Sequence, residues 1–124
     1  GGAYALEHRE LLEARAARGC KALAKLSRIF GNVRPRAWLL RGMLHLRRGE
    51  SGKALHAFRR AEAIAVAMDM PFEQARALCE IGRLEEGEAR ASSGAAAAVI
   101  FERLGAAHYV ALAARLTPAG SPPP

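Results

Sequence analysis

Side chains that take part in catalysis or phosphate binding occur in this chain, but their spacing completes no catalytic motif. Residues 49–54 read GESGKA, which matches part of a phosphate-binding loop. A complete loop would need Gly at the position of Arg47 and Ser or Thr at the position of Ala54, and it would follow a strand. We therefore interpret this segment as a turn between two helices.

The other candidate groups for catalysis or metal binding are scattered along the chain. The histidines, which form no HExxH pattern or close pair, are His8, His45, His56 and His108. The carboxylates of Glu85, Glu86 and Glu88 cluster in or beside a predicted turn, without the cleft that general acid–base catalysis requires. No Ser, Cys or Lys stands in the setting of an activated nucleophile. We predict that the protein is not an enzyme and that it binds no metal or cofactor.

The two cysteines indicate a reducing environment. Cys20 and Cys79 fall in helical patterns without CxxC or Cys/His spacing, so we expect reduced thiols and a cytoplasmic location. The uncharged run at residues 91–101 is shorter than the ~20 residues that cross a bilayer, and no secretory leader is visible. Because the chain begins without an initiator Met, we interpret it as a segment of a longer polypeptide.

Basic residues are concentrated in the first half of the chain. Residues 1–60 hold 14 Lys and Arg against 4 Asp and Glu, whereas residues 61–124 hold 5 against 8. The halves therefore carry net charges of +10 and −3. A basic half suggests an acidic protein partner, an acidic neighbouring segment or nucleic acid. Five of the bases form one stripe on the first predicted helix, and a solvated face is the simpler interpretation of this stripe: Arg15, Arg18, Lys21, Lys25 and Arg28.

The composition predicts an all-α protein. Ala, Leu, Arg and Glu, which favour helices, are abundant, and Val, Ile and Thr are few. Gly and Pro breaks divide the chain into about six helices in one domain, residues 1–116. The predicted helices cover residues 3–30, 35–48, 52–68, 72–84, 89–104 and 106–116. Residues 117–124, TPAGSPPP, are expected to form a disordered Pro-rich tail.

Three local features of this helix assignment can be tested only against the structure. Residues 85–88, EEGE, favour a break between the fourth and fifth helices, which leaves Ser92-Ser93-Gly94 inside a helix. The alternative extends the fourth helix to Ala91 and starts the fifth after Gly94. Gly31 is expected to cap the first helix. Gly19 interrupts the apolar face of the first helix, and a close crossing with another helix would explain it.

Residues 36–61, RAWLLRGMLHLRRGESGKALHAFRRA, carry the spacing of a helix-turn-helix repeat. The residues at its defining offsets are Trp38, Gly42, His45, Gly49, Ala54, Phe58 and Ala61. Aligning Gly42 with Gly82 places RAWLLRGMLHL over RALCEIGRLEE, so a second unit follows. In this spacing the chain resembles the tetratricopeptide repeat family. His45 replaces the usual tyrosine, and Arg41 replaces the usual leucine before the glycine.

The second unit carries a further resemblance. MPFEQARALCEIGRL at residues 70–84 and IFERLGAAHYVALAARL at residues 100–116 are similar to the repeat region of large multidomain bacterial regulators. These include ATPase-bearing LuxR-type transcriptional activators, and kinases or nucleotide cyclases with a similar repeat tail. The resemblance covers residues 35–116. It implies an α-solenoid of antiparallel helix pairs in a bacterial signalling or transcriptional regulator.

The repeat pattern also predicts how the helices pack. Small residues would let neighbouring helices approach to ~8–10 Å: Gly42, Ala54, Ala61, Gly82 and Ala97. Larger side chains would fill the layer between the helices: Trp38, Leu39, Phe58, Phe72, Leu78, Ile81, Phe101 and Leu104. We expect Trp38 to be buried in this layer.

The tetratricopeptide resemblance implies a binding groove lined by the first helix of each pair. The corresponding positions are Arg36, Leu39, Met43, Leu46, Arg47, Arg76, Cys79 and Arg83. Four arginines around an apolar floor would suit an acidic or carboxylate-bearing peptide, because guanidinium binds carboxylates through two hydrogen bonds. Alternatively, the arginines are only solvated or paired within the domain.

We therefore predict a non-catalytic scaffold for protein–protein interaction. Its partner would be an acidic protein or peptide, a neighbouring domain of the same chain, or a second copy. The alternative is a helical domain that binds nucleic acid. Its affinity for nucleic acid would fall steeply with salt concentration. The small number of aromatic residues argues against this alternative. It would use the stripe of the first helix together with Arg34, Arg36, Arg47, Arg48, Arg59 and Arg60.

Overall fold

The computed structural model describes residues 2–116, and within them the chain is all-helical, as predicted. The six α-helices are α1 (Gly2–Ile29), α2 (Arg34–Arg47), α3 (Ser51–Ala67), α4 (Pro71–Leu84), α5 (Gly87–Arg103) and α6 (Ala107–Ala114), and a 3₁₀ helix spans Gly31–Val33. These bounds differ from the expected ones by at most two residues, the usual uncertainty of helix ends. The predicted tail at residues 117–124 lies outside the described residues.

Turn-forming residues separate the helices. Pro35 and Pro71 lie in the first turns of α2 and α4, where a missing N–H costs nothing. Gly49, with φ of 75°, follows α2 and reverses the chain into α3. Gly31 does not cap α1 in a left-handed conformation, contrary to expectation. The N–H of Val33 instead donates to the carbonyl of Phe30 at 3.1 Å, so a tight 3₁₀ turn leads directly into α2.

A first core forms where α2, α3 and α4 meet. Its buried members are Leu39, Ala54, Phe58, Ala61, Ala77 and Ile81. The alanines let the helices approach closely, as the repeat pattern predicts. Trp38 packs against this core, as expected, but it is only half-buried. Leu104 is exposed, because α5 ends at Arg103 and the chain turns away there.

A second core lies between α4, α5 and α6. Its buried members are Ala75, Cys79, Ala97, Phe101, Ala113 and Leu116. The ring of Phe72 meets the rings of Phe101 and Tyr109 edge-on, with centroids 5.7 and 4.9 Å apart. Such aromatic contacts add to the free energy of burial and attach α6 to α4.

The structure places the break between α4 and α5 at Glu85 and Glu86. Gly94 is therefore inside α5, where it is buried against α6. A Cβ at Gly94 would lie 2.7 Å from Cβ of Leu116 and 3.0 Å from the carbonyl oxygen of Ala113. This close approach explains why a glycine stands in the middle of a helix.

Helix α1 packs differently from the other five. It has no buried residue among Gly2–Ile29, and its main contacts are with the 3₁₀ helix and α2. An ion pair between Glu13 Oε1 and Arg48 Nε, at 2.7 Å, ties it to the end of α2. A Cβ at Gly19 would meet nothing within 4 Å, so the predicted close crossing at Gly19 is wrong.

The six helices form a bundle in which each helix packs on the next one in the sequence. None of the described helices has the length and apolar character needed to cross a membrane. Helices α2 to α6 thus enclose two cores. Helix α1 lies beside them as a long, partly uncovered edge.

Candidate functional site

The sequence-predicted groove residues on α2 fall into two groups. Leu39 is 3 % exposed and belongs to the first core, and Leu46 is half-buried against the same core. The assignment of Leu39 to an open groove is corrected, because its side chain is buried in the core, whereas Leu46 is covered only in part. Met43 and Arg47, in contrast, are exposed. They project from the face of α2 that lies next to α1.

The predicted groove residues on α4 already contact other side chains of the same domain. Cys79 is 7 % exposed and lies in the second core, so it does not line an open groove. The guanidinium of Arg83 donates to Glu80 at 2.9 Å, and the guanidinium of Arg76 lies 5.8 Å from the ring centroid of Tyr109. Burial raises the pKa of the Cys79 thiol, so it stays protonated and behaves as a small apolar side chain.

One predicted arginine bridges the two helices. Arg36 on α2 donates to Oε1 of Glu73 on α4 at 3.2 Å. The other carboxylate oxygen of Glu73 is buried and accepts no hydrogen bond. Arg36 and Arg83 thus have carboxylate partners inside the domain, which matches the alternative interpretation of these arginines.

The structure opens a groove between α1 and α2 instead, with a volume of about 520 Å³. Its walls are Ala16, Gly19, Cys20, Ala22, Leu23, Leu26, Leu40, Met43, Leu44 and Arg47. Nine of these ten residues are apolar or nearly so, and Arg47 stands at the rim. The residues of α1 in this set follow the three- and four-residue spacing of its apolar face.

The groove between α1 and α2 has an uncompensated positive rim. Arg47, the charged residue of its lining, forms no ion pair with a carboxylate among residues 2–116. Burial raises the pKa of the Cys20 thiol in the groove, although the charges of Arg41 and Arg48 act in the opposite direction. Cys20 is therefore a neutral part of the apolar wall.

A second cluster lies at the contact between α2 and α3. The guanidinium carbons of Arg41 and Arg60 are 4.9 and 5.3 Å from the ring centroid of Trp38. The ring of His56 meets the indole edge-on at 6.3 Å. The Trp38/Arg41 spacing of three residues is visible in the sequence, but the approach of Arg60 depends on how α2 and α3 pair.

The remaining titratable groups of the described chain form no metal-binding cluster. Within residues 2–116, no three His, Cys, Asp or Glu side chains converge as metal ligands. The N–H of His45 Nδ1 donates to Oε1 of Glu50 at 3.0 Å in the turn between α2 and α3. Residues 49–54 form this turn and the start of α3, and α2 precedes them where a phosphate-binding loop requires a strand.

Comparisons with family models, curated proteins and solved structures gave no match. The resemblance to tetratricopeptide repeats therefore stays a prediction from sequence spacing.

Proposed function

We propose that this chain is a non-catalytic protein-interaction segment whose groove between α1 and α2 binds an amphipathic helix with acidic flanks. The observation that carries this proposal is an open apolar groove whose lining arginine, Arg47, lacks a carboxylate partner in the described chain. We also propose that the segment belongs to a larger bacterial signalling or transcriptional regulator in the cytoplasm. The sequence resemblance supports that part.

The size and lining of the groove suit a helix. Binding grooves for side chains usually enclose about 300–1,000 Å³, and the volume here is about 520 Å³. A helix lays residues at i, i+3, i+4 and i+7 into such a groove. Leu23, Leu26, Leu40 and Met43 would contact those residues from the two sides.

The positive charge at the groove would favour partner helices that carry acidic residues beside their apolar face. Arg47 is exposed and forms no ion pair within residues 2–116. A carboxylate on a flank of the partner helix would pair with this guanidinium group through two hydrogen bonds. Such contacts mainly raise the association rate and exclude basic partners. Arg36 and Arg83, which already pair with Glu73 and Glu80, would contribute less.

Support for a solenoid of helix pairs comes from two matching glycines. A Cβ at Gly42 on α2 would meet the ring of Phe58 on α3, and a Cβ at Gly82 on α4 would lie 3.3 Å from Cβ of Ser93 on α5. In both cases the glycine of the first helix of a pair allows close contact with the second helix, although Gly82 lies closer still to Leu116, whose Cδ1 would be 2.8 Å from the added Cβ. We propose that α2–α3 and α4–α5 are two tetratricopeptide-like units of one solenoid.

A display selection with a library of helical peptides tests the groove. The peptides selected by the full chain are expected to be amphipathic and acidic, with dissociation constants in the micromolar range. Met43→Glu should weaken their binding at least tenfold, about 1.4 kcal/mol, because it puts a carboxylate in the groove. Val99→Glu is the matched control, since Val99 is equally apolar and exposed but lies on α5.

Two results would refute this proposal. If Met43→Glu and Val99→Glu weakened binding equally, the groove between α1 and α2 would not be the site. If the selected peptides carried no excess of acidic residues, the charge argument would be wrong. An Arg47→Gln variant separates the two claims, because it removes the rim charge and leaves the apolar lining in place.

A further inference from the structure

Helix α1 carries an exposed line of apolar side chains from one end to the other. Tyr4, Leu11 and Ile29 are 74 %, 49 % and 76 % exposed, and Ala22 is exposed as well. These four residues are spaced by 7, 11 and 7 positions. At about 100° per residue, they lie within about 20° of one another on the helix surface. Among residues 2–116, no other helix buries this line.

The spacing of 7, 11 and 7 positions is symmetric about the middle of α1. A second copy of α1, laid antiparallel on the first with the two midpoints together, therefore makes equivalent contacts at both ends. Tyr4 of one copy then lies opposite Ile29 of the other, and Leu11 lies opposite Ala22. A two-fold dimer requires such a self-complementary face, because both copies use the same surface.

The charges beside the apolar line suit the same antiparallel pairing. Glu7 and Glu10 lie in the first half of α1, and Lys21 and Lys25 lie in the second half. None of the four forms an ion pair among residues 2–116. Neither glutamate has a Lys or Arg three or four positions away, so α1 itself offers no counterion at the spacing that helical ion pairs need.

The pairing set by the apolar line also brings these opposite charges together. All four charged residues lie on the same side of the line, about 50–110° from it, and an antiparallel two-fold pair places the same sides of both helices next to each other. Glu7 of one copy then lies about one residue from Lys25 of the other along the helix axis, and Glu10 lies about two residues from Lys21. A parallel pair would instead place Glu beside Glu and Lys beside Lys.

We propose that α1 is the interface of a two-fold symmetric dimer, in which the α1 helices of two copies of this chain pair antiparallel. Because α1 has 28 residues, the helices would be in contact over about 40 Å. The small side chain of Ala22 opposite Leu11 lets them approach closely. This proposal goes beyond the function of the groove, since Ala22 is the only one of the four line residues that also lines the groove.

The middle of the paired helices provides a variant that should strengthen the dimer. Arg15 of one copy lies opposite Arg18 of the other copy there, and their repulsion opposes association. Arg18→Glu replaces this repulsion by attraction at two symmetric places, so it should tighten the dimer at least threefold, as a few exposed ion pairs allow. Arg59→Glu is the matched control, because it makes the same change of charge at an exposed residue of α3.

Exchanging charges between the two halves of α1 tests the antiparallel arrangement. Self-association of the full chain is measured by sedimentation velocity over a concentration series at near-physiological salt, with circular dichroism as the check of folding. Glu7→Lys with Glu10→Lys should weaken the dimer at least tenfold, because it places like charges together, and so should Lys21→Glu with Lys25→Glu. An equimolar mixture of the two double variants should form a heterodimer about as tight as the original dimer, since each reversed charge meets its complement.

Three outcomes would overturn the proposal. An original chain that stays monomeric at every concentration would exclude the dimer, and acidic peptides that still bound this monomer would leave the function of the groove standing. A mixture that fails to associate would mean that the glutamates act within their own helix, by favouring its positive N-terminal end. Arg18→Glu that associates no more tightly than Arg59→Glu would exclude the symmetric alignment of the two helices.

Discussion

Gly42 on α2 and Phe58 on α3 are in such close contact that no other residue fits at position 42 without a shift of the ring. A Cβ there would lie 2.5 Å from Cε1 and 2.6 Å from Cδ1 of Phe58. Phe58 is completely buried and cannot rotate into solvent. The repeat spacing that places these residues sixteen positions apart is therefore a packing relationship between two helices.

Gly42→Ala should destabilise the protein by about 1–3 kcal/mol, because the added methyl group overpacks the core. Higher helix propensity offsets roughly 1 kcal/mol of that loss. Urea unfolding monitored by circular dichroism measures the difference. Gly19→Ala is the control, since its methyl group would meet nothing within 4 Å; it should leave stability unchanged or raise it. If both variants were equally stable, the contact between Gly42 and Phe58 would not limit packing.

Gly94→Ala should detach α6 from α5. The new methyl group would lie 3.0 Å from the carbonyl oxygen of Ala113 and 2.7 Å from Cβ of Leu116. Backbone atoms cannot rotate away, so α6 must move. The expected loss of stability is about 1–3 kcal/mol, and NMR contacts between the rings of Phe72 and Tyr109 should weaken. Gly52→Ala, which adds a methyl group in open space, should leave both the stability and the NMR contacts unchanged.

The carboxyl of Glu50 should titrate below the usual range of glutamate. Hydrogen bonds from His45 first, and then from Lys53, lower the pKa of Glu50 in the folded protein. Because the folded pKa is depressed, Glu50 stabilises the protein above the pKa of the unfolded state, about 4.3, and this contribution is lost as the pH falls through the folded pKa. In a ¹³C NMR titration, His45→Gln should raise the pKa of Glu50 more than Lys53→Gln does.

Urea unfolding gives a second check on the role of Glu50. Glu50→Gln should be less stable than the original chain near pH 6, and this difference should disappear as the pH falls through the lowered pKa of Glu50 in the folded protein. A stability difference that stayed constant through this range would mean that the ionised carboxylate contributes nothing.

The sequence predicted features that depend on local spacing. Pro35, Pro71 and Gly49 mark helix ends through their own backbone geometry, and the structure places helix ends beside all three. The close contact at Gly42 was also expected, because a glycine and alanines at repeat offsets place small residues on the packing faces. Each of these signals lies within a single helix or turn.

Features that depend on contacts between distant residues were not predictable. Arg36 and Glu73 lie 37 residues apart, and their ion pair requires knowledge of how α2 and α4 approach. Leu39 and Met43 look alike in the sequence, although one is buried in the core and the other is exposed. The groove between α1 and α2 was missed, since the apolar face of α1 was assigned to a crossing at Gly19.

Amides of α1 should exchange with deuterium faster than those of α3. Helix α1 has no buried residue, whereas α3 buries six, so α1 can open locally without exposing a core. Its ion pair between Glu13 and Arg48 is about 40 % exposed on both sides, so solvent screens it and it holds α1 only weakly. We expect at least tenfold lower protection in α1, measured by hydrogen exchange and mass spectrometry. Protection in α1 as high as in α3 would contradict this expectation. If that protection rose with protein concentration, it would mean that a second copy covers α1.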